Sequence, residues 1–492
     1  MHEIYSIRPF LAVIASLAVT PILLSARSPN VREGWTFAAG ALKLGIVVSM
    51  LPAVLGGSVF SFRLAEILPG IHLAFRVDAM GLLFALVAST LWIVTSAYSI
   101  GYMRGLNEHS QSRYYCFFAV ALSATIGAAF AANLVTLYMF YEILSFATYP
   151  LVTHHQDEEA KISGRKYLFF IVGGSVALVL PAMIICYIKA ETLDFAPQGF
   201  LSGHVGPGLT TVLLLLFVFG MAKAALMPMH AWLPAAMVAP TPVSALLHAV
   251  AVVKVGAFSV ARILTGVFGV DLLAEYGLGT LLAVLASITM LTASFIALSQ
   301  DGLKRRLAFS TIAQLSYILL GVALLTPKGI TGGLVHIAMH AFGKITLFFC
   351  AGAIFVATGI KNISEMKGLG RRMPITMGAF FVASLSVIGL PPGGGFISKW
   401  FLVLGALEAH ELVFLVVLLI SSFLNAAYFL PIAYNAFFAK PENADMDAGF
   451  QEAPAWCVAP LVATTLASLW LFFNPWPFLD LARLAVAQVT GG

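Results

Sequence analysis

Charge is the scarcest property of this 492-residue sequence. Asp, Glu, Lys and Arg together make up 10% of it, whereas a soluble globular chain carries about 25%. A water-facing surface cannot be built from so few charges, so a soluble enzyme or binding module is excluded. Cysteine is almost as rare. The four, at 116, 186, 350 and 457, are scattered, form no CxxC pair and give no zinc or iron–sulfur ligand set; they read as small buried apolar side chains. A GxGxxG fingerprint is also missing, which leaves a dinucleotide or flavin without its usual phosphate-binding turn. The net charge of +5 is spread along the chain, so no basic patch points to nucleic acid. No cofactor and no metal are expected.

What the sequence has is apolar length. Sixty per cent of the residues are hydrophobic, and runs of about twenty, the length that crosses a bilayer, recur from end to end. Fourteen cores can be drawn, at 8–26, 35–56, 79–103, 114–130, 132–153, 167–188, 209–227, 241–264, 278–299, 307–325, 331–358, 374–390 continuing to about 404, 412–437 and 457–475. The expected fold class is an all-α polytopic membrane protein. Glu3 before the first long apolar run argues for an anchor rather than a cleaved signal peptide. With fourteen spans, the odd-numbered connections carry fifteen Lys/Arg, the even-numbered connections with both termini seven, counting Arg8 and Arg262 near span ends with them, and five lysines, 43, 223, 254, 344 and 399, lie inside spans. The positive-inside tendency places the odd connections in the cytoplasm and both termini outside it, in a bacterial-type cell membrane.

Against this apolar background the ionisable residues stand out. Glu142, in VTLYMFYEILSF, is an acid at membrane depth, where an ionised carboxylate needs protein, water or an opposite charge around it. Candidate compensation lies in Lys223, His230, His248 and Lys254. In FVFGMAKAALMPMHAWLPAAM, Pro228 removes the backbone bond to Ala224 and Pro234 disrupts the continuation, so a broken helix is expected beside Lys223. His248 and Lys254, six positions apart, need not touch. His336, His340 and Lys344 follow one another at i,i+4 and share a helical face. Neutral imidazole both donates and accepts, which suits a proton relay; lysine is a poor metal ligand, which disfavours a metal site there. In SVIGLPPGGGFISKWF, Pro391 and Pro392 interrupt a span, and Gly393, Gly394 and Gly395 permit unusual backbone angles before Lys399. This repeats the pattern around Pro228. Spans four to eight and nine to thirteen thus read as two inverted five-helix repeats with broken helices seven and twelve. The corresponding division is 1–108, 109–265, 266–438 and 439–492.

At these residues the sequence resembles the antiporter-like subunits of respiratory complex I, membrane-bound hydrogenases and Mrp-type cation/proton antiporters. The matching stretches are YMFYEILSF, the segment from Gly220 to Gly256, DGLKRRLAFSTIAQLSY from Asp301, and GLPPGGGFISKW ending at Trp400. APTPVSALLHAVAVVK is nearest the Mrp D or hydrogenase branches, and lysine at 399 favours the D-like pattern; the longest members carry a C-terminal amphipathic arm that is not seen after span fourteen. The resemblance implies a proton-conducting membrane subunit. Glu142 resembles the helix-five carboxylate, Lys223 its helix-seven partner and Lys254 the connecting lysine, with His248 nearby. His336, His340 and Lys344 resemble the polar segment further on, and Lys399 the lysine of helix twelve. The implied partners are other membrane subunits, the lipid bilayer, protons, and sodium or another monovalent cation. Three alternatives stay open: an antiporter, a pump within a hydrogenase or complex I-like oxidoreductase, and a non-conducting scaffold. Bond-making catalysis is not implied for this chain itself.

Overall fold

The computed structural model describes residues 2–440 and 449–490. Of the segment expected at 439–492, residues 441–448, 491 and 492 lie outside that description. Eleven helices among the described residues are long and apolar enough to cross a membrane. Their outer faces carry bare apolar side chains, as at Val413, Leu419 and Phe423 on the Leu412–Phe438 helix, which suits a solvent of lipid tails. The segments Thr241–Phe268 and Leu303–Ala323 are buried almost throughout, and the others surround them.

The other three expected cores are less regular. Gln111–Ala129 forms a 19-residue helix, but Gln111, Ser112, Arg113, Tyr114 and Tyr115 load its first turns with polar groups that protein covers. The seventh core ends early, as Pro207–Gly220, and the twelfth divides into Pro374–Ile388 and Gly395–Glu408.

Local chemistry sets several helix starts. Asp78, Asn133 and Asp157 accept a hydrogen bond from the backbone N–H three residues on, at 2.9, 2.8 and 2.7 Å, which satisfies a donor that the first turn leaves free. Three π-helical turns, Ser175–Val179, Leu246–Val250 and Leu264–Phe268, widen the helices they interrupt.

An element absent from the all-helical expectation is a three-stranded sheet. β1 (His2–Tyr5) pairs in parallel with β2 (Ser58–Leu68), which pairs antiparallel with β3 (Ile71–Val77). The alternating SVFSFRL and HLAFRV around Pro69–Gly70 carry the hairpin signal. The sheet leads straight into Asp78.

Two clefts mark opposite ends of the bundle. At one, the connections around 102–108, 155–166, 230–241, 302–309 and 351–361 line a cavity of about 870 Å³. At the other, Arg76 and Asp78 meet Ala131, Phe195, Arg262 and Gln488 of the final helix Phe478–Thr490.

Candidate functional site

The seventh helical run stops at Gly220, eight residues before Pro228, and a single 3₁₀ turn, Ala222–Ala224, follows. Ala225 then adopts a left-handed conformation, φ 55°. The break therefore begins upstream of the proline expected to cause it, and Lys223 sits inside it. Trp232 Nε1 donates at 2.9 Å to the Ala222 carbonyl, which also accepts from the Ala225 N–H of the turn. The Lys223 N–H donates to the Tyr141 hydroxyl at 3.0 Å, so exposed backbone groups find partners in the surrounding protein. Gly256 lies against this break; a Cβ there would stand 2.2 Å from Ala224 N.

Lys223 is fully buried. Its ammonium donates to the Tyr141 carbonyl at 2.8 Å and to Ser145 Oγ at 2.6 Å, and lies 3.2 Å from the centre of the Tyr141 ring. Glu142, one residue along the same helix, is half-buried, and neither carboxylate oxygen takes a hydrogen bond from this chain. Glu142 and Lys223 are thus neighbours but do not form a closed ion pair.

Lys254, His336, His340 and Lys399 come together in the interior. Lys254 Nζ and His340 Nδ1 are 2.7 Å apart. His340 and His336 are one turn apart on the Pro327–Thr358 helix with ring centres 5.6 Å apart. His336 joins Ser398 Oγ at 2.8 Å and Gln314 Oε1 at 3.0 Å. Next to Ser398, the Lys399 ammonium donates to the Ile388 carbonyl at 2.8 Å and to Ser422 Oγ at 3.1 Å, above the Tyr317 ring at 4.4 Å.

Lys344 and His248 stand off this file. Lys344 donates to Ser310 Oγ at 2.8 Å, and Ser310 accepts from Tyr428 at 3.1 Å. His248 lies in the second π-helical turn against the Phe348 ring at 5.0 Å, with no hydrogen bond at either nitrogen. The shared helical face of His336, His340 and Lys344 therefore serves two directions. His230 is elsewhere, half-buried on the wall of the large cavity together with Lys304, whose ammonium donates to the Ala239 carbonyl at 2.6 Å.

The glycines before Lys399 act otherwise than expected. None of Gly393, Gly394 and Gly395 has a positive φ; that falls to Gly389, at 91°. They are needed for close approach, since a Cβ would come within 2.3 Å of Ser386 Cα at Gly393 and 1.9 Å of Ser386 O at Gly395.

Several residues of the site carry no charge to flag them. Tyr141, Ser145, Gln314, Ser398 and Ser422 are ordinary in composition, and only their spacing from Glu142 or Lys399, or the location of Gln314 in the DGLKRRLAFSTIAQLSY motif, offers a signal. Two further buried features lie outside the expected site. Lys43 donates to Ser16 Oγ at 2.5 Å above Trp92, and Arg262 clasps Asp78 with both terminal nitrogens at 2.5 and 2.7 Å.

Residues 131–425, which contain the whole of this file, match the family model described as NADH:quinone oxidoreductase/Mrp antiporter, TM. NADH-quinone oxidoreductase subunit N of Desulforudis audaxviator (strain MP104C) is 34% identical over 441 residues, 87% of this chain and 86% of that protein. A probable K(+)/H(+) antiporter subunit of Rhizobium meliloti (strain 1021) is 30% identical over 467 residues, 92% of this chain but 46% of the relative, so the chain spans about half of that protein's length. In three dimensions the chain is similar to one in the Mrp complex from Dietzia sp. DQ12-45-1b, with a TM-score of 0.88 at 24% identity and 98% of each chain covered.

Proposed function

Because the chain belongs to the NADH:quinone oxidoreductase/Mrp antiporter transmembrane family, we propose that it conducts protons across the membrane as one subunit of a multisubunit complex. The observation that carries this reading is the buried file from Lys254 through His340, His336 and Ser398 to Lys399. Lysines at membrane depth are costly and are retained where charge moves. Each member of the file donates, accepts or exchanges a proton.

Glu142 and Lys223 act as its charge-coupled gate. When the ammonium lies on Ser145 and Tyr141, Glu142 is free of it; when it turns to Glu142, the two charges favour one another's ionised forms. Moving between these positions changes how readily Lys223 surrenders a proton toward Lys254 and the His248 region. Lys344 and Ser310 form a side branch, and Lys399 is the terminal relay. Water bridges the gaps wider than a hydrogen bond. Spans four to eight and nine to thirteen form the two inverted repeats, broken at helices seven and twelve. The large cavity is the cytoplasmic approach, a sidedness supported by the convergence of five odd-numbered connections around it and by their excess of Lys and Arg; both termini then lie outside.

We read the parent complex as a monovalent cation/proton antiporter of the Mrp D-like type, with other membrane subunits as partners. A second reading, a proton pump in a redox-driven complex, is favoured by the full-length similarity to a subunit N. Intact-complex mass analysis separates them: membrane subunits alone support the antiporter, and accompanying redox subunits support the pump. Proton conduction itself is tested by comparing flux in vesicles for the unaltered complex and Glu142→Gln at equal assembly. A large loss of flux is expected. Equal flux defeats the gate, and equal flux in Lys254→Ala as well reduces the chain to a scaffold.

A further inference from the structure

The rim of the large cavity carries a cluster that the conducting file does not use. His109, His154 and His155 come from two connections, after the Ala79–Gly105 and Leu134–Val152 helices. His109 stacks on His154 with ring centres 4.8 Å apart, and His155 stands edge-on to His154 at 5.7 Å. Glu108 Oε2 lies 3.7 Å from both His154 Nε2 and His155 Nδ1. His154 has no exposed surface and no hydrogen bond at either ring nitrogen, whereas His109 and His155 are exposed. One buried imidazole thus stands beside a carboxylate and between two solvated imidazoles.

We propose that this cluster is a proton-collecting site that captures protons from the aqueous phase and passes them into the cavity; the proposal rests on the proton-conducting reading above. His155 and Glu108 themselves line the cavity, and Asp157 and Glu159 extend the same wall. Basic side chains line the cavity at Lys304, Arg305 and Lys361 on the facing connections and at Lys166 beyond Glu159. At the imidazoles themselves the neighbouring charge is the Glu108 carboxylate, 3.7 Å from His154 and His155, which favours a cation there over phosphate or an acidic lipid headgroup. Among the described residues no three His, Cys, Asp or Glu side chains converge in a way that could hold a metal ion, which leaves the proton.

The charged groups around the buried ring divide the work. Glu108, His109 and His155 face it; Arg113 donates to the His154 carbonyl at 2.9 Å, and the Tyr114 ring meets the imidazole edge at 6.1 Å. Burial, with the neighbouring His109, Arg113 and His155, pushes His154 down to about 4. Near neutral pH it is therefore an uncharged ring that accepts at one nitrogen and donates at the other. The exposed imidazoles take protons from bulk, and Glu108, 3.7 Å from a ring nitrogen of both His154 and His155, is the carboxylate those two share.

The test uses the assembled complex in sealed vesicles with this cavity facing outward, a trapped pH indicator, an imposed membrane potential, and external buffer at low and high concentration. His109→Asn/His155→Asn alters only exposed side chains and leaves His154 in place. In the unaltered complex the uptake rate is expected to change little with buffer. In the double variant it should drop on the order of tenfold in dilute buffer, the low end of what a focusing cleft contributes to capture rates, and recover in concentrated buffer, whose molecules deliver protons directly. Equal rates in dilute buffer overturn the proposal. So does a loss that concentrated buffer fails to restore, because it marks the histidines as structural. Absence of uptake in the unaltered complex at both concentrations overturns the conducting reading and the collector with it.

Discussion

The ammonium of Lys223 rests 2.6 Å from the hydroxyl of Ser145, while Glu142, three residues earlier on the same helix, keeps both carboxylate oxygens free of hydrogen bonds from this chain. Serine therefore competes with the carboxylate for one cation. A hydrogen bond to a charged group is worth about 1.5–3 kcal/mol, enough to decide where a long flexible side chain settles. Ser145→Ala is expected to release Lys223 toward Glu142 and to slow transport by roughly tenfold or more, with Ser145→Thr retaining most of it. Flux measured at equal assembly checks this, and an unimpaired alanine variant would show that the hydroxyl plays no part in gating.

Lys254 and His340 supply the shortest link in the file, 2.7 Å. Arginine at 254 keeps the positive charge but does not give up its proton in a protein. Lys254→Arg is therefore expected to assemble normally and to lose most of its proton flux. His340→Leu should do the same, by removing both the acceptor and the donor. Wild-type flux in the arginine variant would mean that charge alone is required at this position.

Gly395 is expected to tolerate no side chain. Its Cβ would stand 1.9 Å from the Ser386 carbonyl oxygen, a contact that no rotamer change relieves because both sides are backbone. Gly395→Ala should lower the yield of folded, assembled protein sharply, whereas Gly378→Ala, whose Cβ would meet nothing within 4 Å, should be silent. Native mass and thermal unfolding in detergent measure both. Normal assembly of the Gly395 variant would imply that the Pro391–Gly395 turn has a second packing.

Most of the membrane architecture is legible in the sequence because hydrophobic length is a strong signal. The charged members of the site are legible for the converse reason: a lysine or glutamate within an apolar run has few bland explanations. Which cation meets which partner is not. The pairing of Lys254 with His340 depends on how two helices cross, 86 residues apart in sequence, and sequence spacing is silent on that. His336, His340 and Lys344 do share a face, yet the histidines point to Lys254 and Ser398 while Lys344 points to Ser310, because different helices pack over successive turns. Pro228 predicts the break at Lys223, but the helix ends earlier, at Gly220, where Tyr141 takes up the freed N–H of Lys223 and Trp232 reinforces the turn at the Ala222 carbonyl. The sheet escapes a reading by hydrophobic length because even its longest strand, the 11-residue β2, is far shorter than a membrane-crossing run.

The pair of Asp78 and Arg262 yields the last prediction, one about stability. Asp78 caps the Ala79–Gly105 helix through Gly81 and is clasped by Arg262, 184 positions away in sequence. It thereby ties the sheet to a helix of the central bundle. Removing one member of a buried pair leaves its partner's charge uncompensated, at a cost of about 3–5 kcal/mol. Asp78→Asn should lower the unfolding temperature clearly, and adding Arg262→Gln should restore part of the loss by removing the orphaned charge. The pH dependence follows from the same contacts. Burial pushes the Asp78 carboxyl up, but the charge and hydrogen bonds of Arg262, the Gly81 N–H and the charge of Arg76 outweigh it and hold the group below its usual 3.8. On acidification the unfolded chain therefore takes up this proton first. The contribution is complete above about pH 4 and is lost as pH falls through the lower folded value. Unfolding midpoints measured downward from pH 5 should fall more steeply for the unaltered protein than for Asp78→Asn, and the two curves should converge at the acid end. Parallel curves would show that the clasp contributes nothing that depends on the charge of Asp78.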